Sequence, residues 1–367
     1  MKKVAILIDQ FYEYGGIEKL VELKANYWST NFNYDITIIS TENKGKPYVY
    51  QLEHSITFLD FEIDYNRSIS YFTIKNILLL IKNIIKLQMY IIKEKPDFIM
   101  VASHIPITYV LPFLILKRTK IIKEFHFTQY FRGNKPDGLK SQLFKYVENM
   151  YYKLIILSAE EASYYKSNNI EVIPNPVVGT IPVRKNNSTK KIASAVVRFA
   201  PVKRLELMIE AWSIFIENDN KDWKLHIYGD YNNEYGTEMI DLVNNLKLSN
   251  YVIFKGQTDK VLNEVRKSKV LLLTSSQECF PMVILEAQSV GVPVISFDCP
   301  TGPRNIINNH IDGILVENNN VTMFAEALNT FAIDDKLQDK LSKNALINAQ
   351  RYTIDKVMNT WKEKVFI

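Results

Sequence analysis

ECFPMVILE, residues 278–286, sets two carboxylates either side of seven residues, across what reads as the start of a helix. Pro281 suits the first helical position, where a missing N–H costs nothing. Gly291 is a C-terminal stop, so the spacing predicts a helix from Met282 to about Val290. Glu278 then precedes the helix and Glu286 lies little more than one turn inside it. With a rise of ~1.5 Å per helical residue and ~3.3 Å per extended one, the carboxylates fall about 10 Å apart. That exceeds the roughly 5–9.5 Å of a glycosidase acid–base pair and suits a clamp on two sugars of one ligand. Between them, in the segment Phe280, Pro281, Met282 and Val283, the N–H groups of the three residues other than the proline point at an anion, aided by the helix dipole. Carboxylate, anion site, carboxylate matches hexose, diphosphate and ribose in order. The plain alternative is a solvated surface helix. Against it, Glu286 stands in the otherwise apolar run PMVILEAQSVGVPVIS, and burying an unpaired carboxylate is costly.

Outward from this segment, short apolar runs alternate with amphipathic stretches, as in parallel α/β proteins. Strands are expected at 4–8, 35–40, 56–61, 98–103, 120–125 and 153–158, with helices near 17–29, 74–93 and 140–152. The rhythm repeats with strands at 193–199, 224–229, 251–256, 270–275, 292–298 and 313–317. Helices fall near 203–217, 235–247, 259–268, 282–290, 321–332 and 335–350, with a last one near 353–365. PNPVVGTIPVRKNNSTKK, 174–191, has linker composition. The expected fold class is α/β: two Rossmann-like, doubly wound domains facing across a cleft, with ligands at the carboxyl ends of the strands. The expected divisions are 1–177, 178–350 and a C-terminal helix within 351–367.

Bulk properties narrow the function. The chain has 367 residues, 47% hydrophobic and 12% aromatic, enough for two cores. No run approaches the ~18 apolar residues of a membrane span, and MKKVAILIDQ reads as a first buried strand rather than a signal peptide. Two cysteines, Cys279 and Cys299, argue against a disulfide-built fold, and no Cys/His spacing suggests a metal site. A cytoplasmic location is the default. No G-x-G-x-x-G follows a strand, against a nicotinamide cofactor. The net charge is +5, and residues 101–150 alone hold eight Lys/Arg against three acids. A basic surface there would suit phosphate or acidic lipid headgroups; ordinary solvated lysines are the bland reading. No nucleic-acid partner is expected.

Further candidates lie at strand ends. VVRFAPVK, 196–203, places Arg198 and Lys203 five residues apart on a strand–loop–helix, where two cations would neutralise a leaving diphosphate. After the first strand, Gly15 and Gly16 permit close backbone approach, and the helix from Ile17 offers N–H groups to a phosphate. His126 lies just past a strand end; His104, at the end of the preceding strand, is its rival. In helix 74–93, Lys75, Lys82, Lys86 and Lys93 fall within about 20° of one line. That stripe suits an anionic bilayer, or a packed helix with its lysines in water.

SSQECFPMVILEAQSVGVPVISFDCPTGPRNII, 275–307, resembles the family 4 retaining glycosyltransferases, whose GT-B fold pairs two Rossmann-like domains. Glu278 and Glu286 match the family's E-x7-E motif, and Gly291-Val292-Pro293-Val294 its following G-x-P-V. Cys279 stands where glycine is usual. VVRFAPVK looks like the family's G-R-L-x-x-x-K, with Val197 for its glycine. HIYGDYNN, 226–233, resembles a G-x-G loop with Tyr231 for the second glycine, and FKGQTDKV, 254–261, containing Gly256, the loop beside the nucleobase. The resemblance implies Glu278 on donor hexose hydroxyls, Glu286 on the ribose, and Arg198, Lys203 and the 280–283 amides on the diphosphate. It places Gly16 in the family's glycine loop and His126 on the donor sugar, although Phe125 separates His126 from Glu124 where the family has a Glu-His pair.

It further implies transfer with retention, no metal and no cofactor beyond the nucleotide-sugar co-substrate. The donor would be a UDP-hexose or UDP-N-acetylhexosamine, and the acceptor a glycan or lipid-linked glycan of cell-surface polysaccharide synthesis. The enzyme would act in the cytoplasm or peripherally at the inner membrane face. The first domain would serve the acceptor, the second the nucleotide sugar, and the last helix would cross back to the first domain. A nucleotide-sugar epimerase on the same fold would need acids and bases the sequence does not offer. A catalytically silent sugar-nucleotide-binding partner is opposed by intact Glu278, Glu286, Arg198 and Lys203.

Overall fold

The computed structural model describes residues 1–71, 73–116, 118–130, 138–177 and 190–367. Most of the expected linker, 178–189, lies outside them, as do Lys117, Arg132, Lys135 and Asp137 of the basic stretch. The chain divides into two compact units, Met1–Pro176 with Asp355–Ile367, and Val177–Ile354.

In the first unit the order is β1 (Lys3–Ile8), α1 (Gly16–Phe32), β2 (Asp35–Ser40), β3 (Thr57–Asp60), α2 (Ile74–Glu94) and β4 (Phe98–Val101). There follow β5 (Lys120–Glu124), α3 (Leu139–Asn149), β6 (Lys153–Ile156), α4 (Ala159–Ala162) and β7 (Ile170–Val172). The strands form one sheet in the order β3-β2-β1-β4-β5-β6-β7, parallel throughout. Ile6, Ile38, Ile99, Ile122 and Leu154 are fully buried in it, as expected where helices cover both faces of a parallel sheet. β7 was not foreseen: three half-buried residues at a sheet edge carry no periodic signal.

The second unit runs β8 (Ile192–Val196), α5 (Leu205–Glu217), β9 (Lys224–Tyr228), α6 (Glu234–Asn245), β10 (Val252–Gly256) and α7 (Val261–Val265). It continues through β11 (Val270–Leu273), α8 (Met282–Ser289), β12 (Val294–Phe297), β13 (Gly313–Val316), α9 (Val321–Ile333) and α10 (Asp335–Ala349). Its parallel sheet has the order β10-β9-β8-β11-β12-β13. Each unit is therefore doubly wound and Rossmann-like. The direction of strand addition reverses between β1 and β4 in one and between β8 and β11 in the other, and ligand crevices form at such reversals.

The last helix, α11 (Ile354–Lys364), belongs from Asp355 onward to the first unit. Trp361 and Phe366 are buried there against Trp28, with ring centroids 5.2 and 4.8 Å from it. The division falls at 354/355 rather than 350/351 because Tyr352 and Thr353 still pair with Val177. The Val177 N–H donates to the Tyr352 carbonyl at 2.7 Å.

Candidate active site

At the β8/β11 reversal, two loops of the second unit are stitched together. Ser276 N–H donates to the Val202 carbonyl at 2.8 Å, and Thr274 Oγ1 donates to the carbonyls of Lys203 and Arg204 at 3.1 and 3.0 Å. Those bonds hold Lys203 beside Glu278: Lys203 Nζ donates to Glu278 Oε1 at 2.6 Å, both side chains being largely buried. Lys203 ends a short 3-10 turn, Pro201–Lys203, and Arg204, in the left-handed region at φ 50°, separates it from α5. The lysine thus precedes the helix rather than opening it. Arg198 is exposed in the same loop and among the described residues makes no ion pair.

A third loop, after β12, presses on Glu278 from the other side. Thr301 Oγ1 donates to the Glu278 carbonyl at 2.9 Å. Thr301 is fully buried at φ 67°, a conformation β-branched residues rarely adopt. At the next residue, a Cβ on Gly302 would sit 2.4 Å from the Glu278 Cβ. Only a glycine lets this backbone approach so closely. Sequence reasoning gave no role to Thr301 or Gly302, although TGP is a visible turn signal.

Phe280 and Pro281 are buried, Met282 and Val283 half-buried. The Phe280 ring lies 5.7 Å from that of Tyr352. Pro281 caps the helix (φ −68°, ψ 113°) instead of opening it, because its ψ is extended; α8 begins at Met282. No side chain caps this end, and its first turn holds no acid. The terminal N–H groups of such a helix have no partner within it and carry partial positive charge. Glu286 is half-buried one turn further on. Gly291 follows the helix at φ 74°. Lysine, carboxylate and open helix end thus lie together beyond the ends of β8 and β11, with Glu286 one turn into α8.

Two glycines shape the neighbouring strand ends. A Cβ on Gly229, at φ 148°, would lie 2.1 Å from the Val197 carbonyl oxygen. Gly256, at φ 75°, accepts from Gly229 N–H at 3.0 Å across a register shift. Both cysteines are buried thiols; burial, then Glu278, pushes Cys299 up to about 12, so it does not ionise at neutral pH. His226, half-buried on β9, is pulled below the usual imidazole range by burial and nearby lysines.

In the first unit the glycine loop differs from the open anion-accepting turn expected of it. Gly15 caps α1, and Gly16 is exposed with nothing near its missing Cβ. A Cβ on Gly15 would lie 2.1 Å from Glu18 Oε2, so the helix end already holds a carboxylate. Burial, with Asp9 and Glu13 adding, raises Glu18 to about 7. Gly15 is also pinned by Tyr50, whose hydroxyl accepts from its N–H at 2.7 Å.

The side chain of His126 is only 6% exposed and turns toward Glu124: His126 Nε2 lies 3.3 Å from Glu124 Oε2. The other carboxylate oxygen, Oε1, takes Lys24 Nζ in a close ion pair. Lys24 is 1% and Glu124 2% exposed. Burial alone would raise Glu124, but Lys24 and His126 outweigh it and hold the carboxyl well below its usual range. On the opposite face of β5, Lys123 is buried too and donates to the Ser103 carbonyl at 2.6 Å. Burial pushes it down to about 7. Lys123 therefore adds nothing to a basic surface on 101–150. Ser103 Oγ donates to Asp9 Oδ1 at 2.7 Å, and Arg67 bridges Asp9 and Glu42 at 2.8 and 2.7 Å. Lys24 went unremarked in the sequence, Lys123 was only counted in the basic stretch 101–150, and Glu124 was noted only as set apart from His126 by Phe125. The available signal was the adjacent Lys-Glu pair closing an otherwise apolar strand. His104, by contrast, is exposed, 5.8 Å edge-on to Tyr109.

Helix α2 also departs from a simple basic stripe. Asn76, Asn83, Leu87 and Ile91 form its buried face. Lys82 and Lys86 bend back to the carbonyls of Glu62 and Phe61, at 2.6 and 2.5 Å. The side facing outward is apolar: Ile74, Leu78 and Met89 are 79%, 61% and 65% exposed, with Ile81, Ile85 and Ile92 beside them. No helix among the described residues is long and apolar enough to cross a membrane. Nor does any group of three His, Cys, Asp or Glu among them form a potential metal cluster.

Residues 180–347 match the family model described as glycosyl transferases group 1. An uncharacterized glycosyltransferase of Haemophilus influenzae is 26% identical over 372 residues, covering 99% of both chains. The amylovoran biosynthesis glycosyltransferase AmsD of Erwinia amylovora is 24% identical, again over 99% of both. Among solved structures, S. aureus TarM, crystallised with UDP, superposes with a TM-score of 0.78 at 16% identity, over 99% of each chain. In sequence across residues 180–347 and in fold along the whole chain, the protein is thus similar to the group 1 glycosyltransferases of GT-B architecture, and these matches support a glycosyltransferase enzyme.

Proposed function

We propose that the protein is a retaining glycosyltransferase that moves a hexose or N-acetylhexosamine from a nucleotide sugar, with UDP favoured, to a glycan or lipid-linked glycan in cell-surface polysaccharide synthesis. The observation that carries this reading is the Lys203–Glu278 pair beside the uncapped start of α8. In the ligand-free state these two charges satisfy one another. A bound donor exchanges that pair for two better-matched contacts: Lys203 to the diphosphate, Glu278 to hexose hydroxyls. The open amides of Met282 and Val283 receive phosphate oxygens, Glu286 the ribose, and Gly256 the base edge. Arg198, exposed and unpaired, swings onto the leaving group. Gly16 stays in this reading as a close-approach position only, since Glu18 occupies its helix end. His126 contributes an orienting contact to the hexose.

Chemically, the C1–oxygen bond to the diphosphate breaks with its electron pair on the phosphate, through an oxocarbenium-like state. The acceptor hydroxyl attacks from the same face, and its proton passes to the departing phosphate oxygen. Lys203, Arg198 and the helix amides stabilise the charge that develops, so no metal is required. UDP is favoured because TarM, a structural relative, binds it; amylovoran synthesis by AmsD suggests the acceptor class. The exposed apolar side of α2, bordered by lysines, lies on an anionic membrane surface and keeps the cytoplasmic enzyme at the inner face.

The test is a thermal-shift screen against UDP, GDP and ADP, since a ligand of the folded state stabilises by mass action. Donor hydrolysis and transfer assays with sugars of the preferred nucleotide follow, the anomeric product being read by NMR. Nucleotide release that rises with acceptor supports the transferase. Epimerisation without release, or binding without turnover, would replace it with the alternatives.

A further inference from the structure

We propose that a groove at the amino ends of β8 and β9 is a second anion site, which takes a phosphate-class dianion, free or carried on a sugar, among Lys191, Lys224 and His226. It lies within the second unit and is independent of the donor reading. Lys203 and Glu278 stand beyond the carboxyl ends of the strands, at the other end of the same sheet.

Sheet geometry builds the groove. Alternate residues of a strand face opposite sides. Ala193, Ala195, Leu225 and Ile227 point into the hydrophobic core of the unit. Ile192 and Ser194, paired in register with Lys224 and His226, face the other way. β10 is the edge of the sheet, and its Ile253, paired with His226, is exposed. The uncovered corner is a groove of about 420 Å³ lined by Lys190, Lys191, Ile192, Asp222, Lys224 and His226.

Charge there is one-sided. Asp222 is held by Lys191 at 2.6 Å. Glu264 of α7, the other acid nearby, takes Lys267 at 2.6 Å and the Tyr228 hydroxyl at 3.0 Å. Lys224 Nζ has only the Asn250 carbonyl, at 2.7 Å, and the face of Tyr251. Lys190 and Lys255 make no ion pair among the described residues. Five lysines thus meet two acids, both engaged, and a concave site of one charge sign concentrates counter-ions. His226 feels the excess. Burial first, then Lys255, with Lys190 and Lys267 adding and Glu264 opposing, keep its imidazole below the usual range. A dianion beside it reverses that bias, so binding draws a proton onto the ring and forms a charge-assisted hydrogen bond. Ser194 points the same way. Its side chain is fully buried next to His226 on the groove side of the sheet, and its hydroxyl has no hydrogen-bond partner among the described residues. A buried polar group without a partner is uncommon and costly; a bound oxyanion supplies the missing acceptor.

The experiment uses the full chain with 15N-labelled histidine, at an ionic strength held constant with chloride. His226 is identified by the signals lost in His226→Asn. Inorganic phosphate, glucose 6-phosphate and sulfate are titrated separately. Saturable shifts of the His226 ring signals are expected. They should weaken at least about tenfold in Lys224→Met/Lys255→Met and persist in Lys203→Met, which disables the proposed donor site instead. Equal affinity for phosphate and glucose 6-phosphate identifies the free ion as sufficient; tighter binding of the sugar phosphate identifies a carried group. Sulfate keeps its charge from about pH 8 to pH 6, so its binding should tighten over that fall in wild type and not in His226→Asn. His226 signals unmoved by all three probes overturn the proposal. So does an undiminished response in the double variant with wild-type Tm, or a sulfate affinity in wild type that does not change with pH.

Discussion

Replacing Gly302 with alanine is the sharpest perturbation of the proposed donor site that leaves every polar side chain in place. The added methyl would stand 2.4 Å from the Glu278 Cβ and 3.1 Å from its carbonyl oxygen. Ordinary contacts begin near 3.4 Å, so one backbone must give way by about 1 Å. The loop after β12 is held by the Thr301–Glu278 hydrogen bond and by the buried Thr301, and Glu278 is held by Lys203. Neither can yield without moving the carboxylate. Overpacking of this kind costs about 1–3 kcal/mol, which in a unit of this size lowers Tm by about 2–4 °C per kcal/mol. The effect on turnover should be larger. A misplacement of about 1 Å at a positioning group costs on the order of 100-fold in rate. Scanning calorimetry and donor hydrolysis on the same preparation separate the two. Wild-type turnover with Tm within about 1 °C of wild type would refute the reasoning, because Glu278 would then not be held against this loop or would not matter to the donor.

Gly229→Ala should be more severe, since its Cβ meets a backbone carbonyl at 2.1 Å and its φ of 148° disfavours any side chain; loss of soluble expression or a Tm fall beyond that of Gly302→Ala is expected. Glu18 gives a pH dependence. Its folded value of about 7 exceeds the reference 4.5, so the folded chain keeps a proton that the unfolded chain releases between them. Its stabilising contribution is complete below about pH 4.5 and is lost as pH rises through 7, up to about 3 kcal/mol by linkage. Urea unfolding at pH 5 and 8 should show this loss in wild type and its absence in Glu18→Gln. For α2, Ile81→Glu/Ile85→Glu should abolish binding to anionic vesicles with little change in Tm, because both side chains are exposed and the change removes apolar contact while adding repulsion; undiminished vesicle binding would remove the membrane from the account.

The sheet strands of both units were legible because parallel strands buried on two faces read as unbroken apolar runs, as in VAILI and VLLLTS. Only β7 escaped, too short and half-exposed to leave a pattern. The turn and helix that carry Glu278 and Glu286 were legible because their signals are local: the carboxylate spacing, Pro281 and Gly291 all belong to one turn and one helix. What pairs with what was not legible. Lys203 and Glu278 lie 75 residues apart, and Lys24 and Glu124 lie 100 apart; both pairings are fixed by strand order, which no short-range pattern encodes. For the same reason the lysines of α2 looked like its outward stripe, whereas the carbonyls of Phe61 and Glu62 draw two of them back and leave an apolar side outermost.

The central claim is that Lys203 meets a diphosphate and Glu286 a ribose at the start of α8. Calorimetric titration of wild type, Lys203→Met and Glu286→Ala with UDP and with inorganic pyrophosphate tests both contacts at once. The account predicts that Lys203→Met weakens both ligands at least about tenfold, roughly 1.4 kcal/mol, while Glu286→Ala weakens UDP and leaves pyrophosphate unchanged. Wild-type affinity for UDP in both variants would contradict it.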